Sequence, residues 1–105
     1  MKYLVTGSGG PGFQSPEEAV ELLENVVHPS FDQIQKLEAE GKILASGLPV
    51  GERALVLVLD VSSHDEADKI IQSLPIWSML EWQAIALQDT SKRAAQEKQL
   101  LEQFK

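Results

Sequence analysis

The chain is read as an α+β fold of order β-α-β-β-α-β, with an antiparallel four-stranded sheet and a C-terminal helix added. Three observations lead there. RALVLVLDV, residues 53 to 61, is the strongest strand signal in the chain. Two capping boxes, Ser15 with Glu18 and Ser63 with Glu66, each precede apolar residues at helical spacing. Shorter apolar segments open and close the pattern at 2 to 6 and 80 to 88. This order is the ferredoxin-like split βαβ arrangement.

Each element has a local reason. KYLVT, residues 2 to 6, reads as the first strand. Gly7 to Pro16 follows as a loop, because its four Gly and two Pro suit neither helix nor strand. Ser15 is an N-cap, and Pro16 fits the first helical position, where its missing N–H costs nothing. Val20, Leu23 and Val27 form an apolar stripe that Phe31, Ile34 and Leu37 extend. Pro29 falls between the two halves and predicts a kink or two abutting helices. Gly41 ends the helix. KILASGLPV, residues 42 to 50, is a second strand that Gly47 and Pro49 make bulged or place at an edge. Ala67, Ile70, Ile71 and Leu74 give the second helix its buried face, and Pro75 follows its end. LEWQAIALQ, residues 80 to 88, is the fourth strand. Residues 89 to 105 form a helical extension to the domain of residues 1 to 88, with Ala94, Leu101 and Phe104 on one stripe.

Composition narrows the function classes. Nine Lys and Arg stand against sixteen Asp and Glu, a formal charge of −7, and no basic run offers a phosphate footprint. Nucleic acid and anionic membranes are therefore not expected partners. The chain has no Cys, so thiolate chemistry, disulfides and cysteine metal sites are absent, which is compatible with a cytoplasmic location. No apolar run approaches the roughly 20 residues of a membrane span. MKYLV runs straight into TGSGG, so no signal peptide is expected at the N-terminus.

The third strand carries a further expectation. Leu55, Leu57 and Leu59 alternate with Val56 and Val58, so both faces of the sheet are apolar. Two helices cover one face only. A second copy of the sheet is the simplest cover for the other, which predicts a homodimer or higher homo-oligomer of the dimeric α/β-barrel type. The tail helix is the competing lid.

Candidate site residues are few. LPIWSMLEW, residues 74 to 82, sets Trp77, Met79 and Trp82 before and within the last strand. They pack well in cores, and they also suit an apolar pocket wall for a small apolar or aromatic-derived ligand. Tyr3 offers a hydroxyl to the same ligand. His28, at the helix interruption, has a near-neutral reference pKa and is a candidate acid or base. Glu81 shares a strand face with Ile85 and Leu87 and is a second candidate proton carrier. Glu24 borders the helix stripe and reads as solvated. His64 reads as a surface residue, and two lone His do not make a metal site. TGSGGPG follows a strand but lacks both the G-x-G-x-x-G spacing and the Walker ending, so it reads as a lid or site rim, not a nucleotide loop. Ser8, His28 and Asp32 have no triad spacing. No cofactor and no metal is implied.

Two segments, FDQIQKLEAEGKI (31 to 43) and ADKIIQSLPIWSMLEWQAIAL (67 to 87), resemble the muconolactone isomerase family of small ferredoxin-like proteins. Leu74-Pro75 at the helix end and Met79 in the approach to the last strand carry the likeness. The resemblance implies a cofactor-free isomerase that moves a proton and a double bond within a small unsaturated lactone or carboxylate, with intertwined dimers. The chain departs from the family in its second strand, ILASGLPV, which has no Arg to hold a carboxylate; Arg53 comes later. A small ligand-binding or assembly protein without turnover, and a cofactor-free oxygenase, remain the alternative readings.

Overall fold

The computed structural model describes residues 1 to 105. Strand β1 is Lys2–Ser8. Helix α1, Pro16–Leu22, passes through a π turn, Leu23–Val27, into α2, His28–Ala39. Strands β2 (Ile43–Gly47) and β3 (Leu55–Asp60) follow, then α3 (His64–Ser73). A single 3-10 turn, Trp77–Met79, leads into β4, Glu81–Leu87, and α4 spans Thr90–Gln103. The sheet order is β2-β3-β1-β4, with every neighbour antiparallel. The expected ferredoxin-like topology is therefore present.

Local chemistry explains the boundaries. The Ser15 hydroxyl accepts from the Glu18 N–H, and Ser63 does the same for Glu66, each at 3.1 Å. Both helices start where the capping boxes place them. Pro29 lacks an N–H, and its ring would meet the carbonyl one turn back. The helix answers with the π turn, in which the His28 N–H reaches the Leu23 carbonyl. The interruption expected at Pro29 is thus a single wide turn inside one continuous helical run.

The helix side of the sheet is the core. Tyr3 and Val5 of β1 stand opposite Leu59 and Leu57 of β3, and all four are buried. Ile34 from α2 and Ala67, Ile70 and Ile71 from α3 close over them. Trp82, Ala84 and Ala86 share this side, paired with Gly7, Val5 and Tyr3, yet both Ala are exposed. The helical layer does not reach the β4 edge.

The other side is bare. Leu4, Val56 and Val58 are half-buried only by their neighbours in the sheet, and Ile85 and Leu87 are 47% and 41% exposed. The tail helix does not cover them; all fourteen of its residues are exposed. Two apolar faces are therefore present, as the third strand predicted.

The dimeric α/β-barrel type is corrected by the same geometry. The sheet is open, with β2 and β4 as free edges and no closure between them. Four strands are too few to close a filled barrel, which takes about eight. Strand β2 is also short and loses register between Ile43 and Ala45, and Pro49 just beyond has no N–H to pair. An apolar second face requires a cover, but it does not require closure.

Candidate functional site

A cavity lies at one end of the helix side, where β1 runs out and β3 begins. It holds about 540 Å³. Three segments wall it: the Gly-rich loop with Gly10, Pro11 and Phe13; the helix with Val27, Ser30 and Phe31; and the β2–β3 connection from Leu48 to Ala54. Leu55, Ile76 and Leu80 form the rest. Glu52 is the only carboxylate among these residues, and Arg53 is the only cation.

Sequence places these walls for local reasons. Gly10 gives its N–H to the Arg53 carbonyl at 2.9 Å. A Cβ on Gly10 would stand 2.5 Å from that carbonyl oxygen, so only Gly allows the loop to close on the β3 approach. Gly51, at φ +79°, turns the chain just before Glu52 and Arg53. The π turn ends at Val27, three residues before Ser30, and Val27, Ser30 and Phe31 together line the cavity. Ser30 is buried, gives its proton to the Val26 carbonyl at 2.7 Å, and accepts from the Ile76 N–H at 3.0 Å. That one hydroxyl ties α2 to the 3-10 connection, so it holds two cavity walls together.

The charged rim is simple. The Arg53 guanidinium lies 4.2 Å from the centre of the Phe13 ring. No carboxylate of the chain pairs with it. Stacking fixes a cation's position without spending its hydrogen-bond donors. Arg53 therefore presents a free planar donor fork beside an apolar hollow, with Glu52 next to it in the chain. No cluster of His, Asp and Glu has metal-binding geometry.

The sequence-derived candidates lie elsewhere. Tyr3 is buried at the far end of β1, and its hydroxyl bonds to the His64 ring nitrogen Nδ1. Trp77 and Met79 are exposed in the 3-10 turn. Trp82 packs its ring against Gly7 and gives its indole N–H to the Trp77 carbonyl at 2.8 Å. That donor is spent within the chain. His28 is exposed and meets the edge of the Phe31 ring, 6.2 Å between centroids, so it stands behind a wall residue of the cavity. Glu81, opposite Ser8, projects from the uncovered side of the sheet. The stretch 74 to 82 does line the cavity, but through Ile76 and Leu80. Arg53 and Glu52 were missed as a pair. The signal available for them was two adjacent charges at a Gly turn leading into the most buried strand.

With this geometry in view, relatives can be compared. The muconolactone delta-isomerase family profile matches residues 1–92. The chain belongs to the muconolactone isomerase family. Solved structures agree on the fold. The crystal structure of muconolactone isomerase superposes with a TM-score of 0.69, covering 87% of this chain and 93% of that one at 22% identity. A second, 5-chloro-2-hydroxyhydroquinone dehydrochlorinase from Burkholderia phenoliruptrix in complex with 2,5-dihydroxybenzoquinone, gives 0.64 at 14% identity over 88% and 98% of the two chains. No curated protein matches the sequence. Membership in the muconolactone isomerase family holds for the body of the chain, whereas most of α4 lies beyond the matched residues. No helix is long and apolar enough to cross a membrane.

Proposed function

We propose that the chain is a small-molecule isomerase of the muconolactone isomerase type. Its substrate is a small unsaturated lactone or carboxylate, bound in the cavity beside Arg53. The observation that carries this reading is the adjacent Glu52 and Arg53 at the rim of an otherwise apolar hollow of about 540 Å³. That volume suits a small organic ligand, since such pockets run from roughly 300 to 1,000 Å³.

Roles follow from the side chains. Arg53 takes the substrate carboxylate through its free donor fork. Glu52 removes a proton from a carbon next to the double bond. The electron pair moves through the conjugated system, and the proton returns at its other end. The double bond migrates, composition is unchanged, and no oxidant or reductant takes part. The Arg53 charge also favours the transient anion. Phe13, Phe31, Ile76 and Leu80 supply the apolar walls that limit water around it. Glu52 thereby takes the role that the sequence suggested for His28 or Glu81.

Self-association belongs to the same reading. An apolar sheet face with no cover of its own favours a second copy of the chain against it.

The test is proton exchange. The protein is incubated in D₂O with muconolactone and related unsaturated lactone carboxylates, and NMR follows carbon-bound deuterium and double-bond position. Deuterium incorporation together with a shifted double bond is the expected result. Binding without exchange would make the chain a ligand-binding protein, and oxygen uptake would make it an oxygenase.

A further inference from the structure

The cavity beside Arg53 is larger and more one-sided than muconolactone needs. Muconolactone has six carbons and four oxygens. Those ten non-hydrogen atoms fill at most about 300 Å³, counting each at the roughly 30 Å³ that a water takes in its liquid. The hollow holds about 540 Å³. A ligand that fills it and excludes water needs more atoms.

Polarity says what those further atoms are. Ser30, Glu52 and Arg53 are the only polar side chains in the wall. The Ser30 proton is already given to the Val26 carbonyl, and its oxygen already accepts from the Ile76 N–H. Glu52 and Arg53 are adjacent in the chain, so the free polar side chains share one corner. Phe13, Val27, Phe31, Ile76 and Leu80 are half-buried, and each leaves apolar surface open to a ligand. A polar substituent set against them would lose water without gaining a partner.

The mouth of the cavity carries the second observation. Leu48, Pro49 and Val50 form an apolar run there, with Leu48 52% and Val50 102% exposed. A single exposed apolar residue needs no explanation, but a consecutive run at a cavity mouth does. The run ends in a fixed turn: the Glu52 N–H reaches the Pro49 carbonyl at 3.2 Å, and Gly51 takes φ +79° between them. An apolar rim thereby adjoins the charged corner on one short segment. We propose that the substrate carries an apolar substituent of phenyl size or larger, which packs on Leu48 and Val50 while the carboxylate meets Arg53. The inference rests on the isomerase reading above and narrows its substrate to unsaturated lactones or carboxylates with a bulky apolar group. The substituent takes no part in the proton transfer; it covers the mouth and seats the reacting carbons.

Binding is measured by calorimetry with the saturated counterparts of muconolactone and of its methyl and phenyl ring derivatives, which have no double bond to move. Wild type is compared with full-length L48S/V50S. Both altered residues are exposed, so the core is untouched, and circular dichroism checks the fold. The phenyl compound should bind wild type at least about tenfold more tightly than the unsubstituted acid, with the methyl compound between them. L48S/V50S should lose most of that preference. Equal or weaker binding of the phenyl compound, or no binding of any, would overturn the inference. A phenyl preference unchanged in L48S/V50S would overturn the placement on Leu48 and Val50. Deuterium exchange with the unsaturated compounds is read separately. Exchange with muconolactone but no phenyl preference would remove the bulky substituent and keep the isomerase reading. A phenyl preference lost in L48S/V50S, without exchange, would support the apolar subsite and remove that reading.

Discussion

Arg53 lays its guanidinium on the face of Phe13, 4.2 Å from the ring centre, and no acidic side chain of the chain neutralises it. A cation positioned in this way is available to a ligand. The stack joins the Gly-rich loop to the start of β3, so the ring that orients the charge also belongs to the cavity wall.

Arg53→Ala should therefore weaken binding of carboxylate ligands more than binding of their neutral esters. Arg53 is exposed, which puts the loss near the low end for a charged hydrogen bond, about 1.4 kcal/mol or tenfold in Kd. Calorimetric titration with an acid and its ester reads the difference. Equal losses for both would remove the anchoring role.

Glu52→Gln keeps the size of the side chain and removes its ability to take a proton. Turnover should fall by about 100-fold or more while KM changes little. Single-turnover NMR in D₂O checks it. A variant with unchanged exchange would return the proton-carrier role to another group.

Gly10→Ala places a Cβ against the Arg53 carbonyl oxygen, a backbone atom that cannot swing aside. The loop must lift, breaking the Gly10–Arg53 hydrogen bond and moving Phe13 away from the guanidinium. We expect a stability loss of about 1–3 kcal/mol, as for other overpacked sites. Weaker ligand binding should accompany it. Urea unfolding and the same titration measure both, and a variant that matches wild type in each would show that the loop contact does not shape the cavity.

Ser30→Ala strips the Ile76 N–H of its acceptor in a buried position. Leaving a buried donor unpaired costs about 1–3 kcal/mol. Ser30→Thr retains the hydroxyl but adds a methyl group to a packed site, so it separates hydrogen bonding from volume. Chemical denaturation of the pair tests the tie, and equal stability of wild type and the Ala variant would refute it.

Much of the fold was legible because its signals are local. A Ser followed three residues later by Glu starts a helix wherever it occurs, and both predicted caps are made. Alternation along 55 to 59 put the three Leu on one face and the two Val on the other, and the structure buries all three Leu. The candidate site was less legible because cavity walls come from distant parts of the chain. Phe13, Phe31 and Arg53 share no spacing that a linear reading could detect. Trp77 and Trp82 drew attention by type, but the Trp82 indole N–H is spent on the Trp77 backbone carbonyl. His28 sits one position from a wall residue, and helical geometry turns it outward.

The sequence by itself determined the order of elements, their caps, the helix irregularity beside Pro29 and the apolar character of both sheet faces. These depend on neighbours a few residues apart. Only the tertiary structure decided that the sheet stays open, that the tail helix leaves the second face bare, and that Arg53 and Glu52 meet the Gly-rich loop at one cavity. Those outcomes depend on long-range pairing and on which surfaces the chain can reach with its own length, and neither is written in any short stretch of residues.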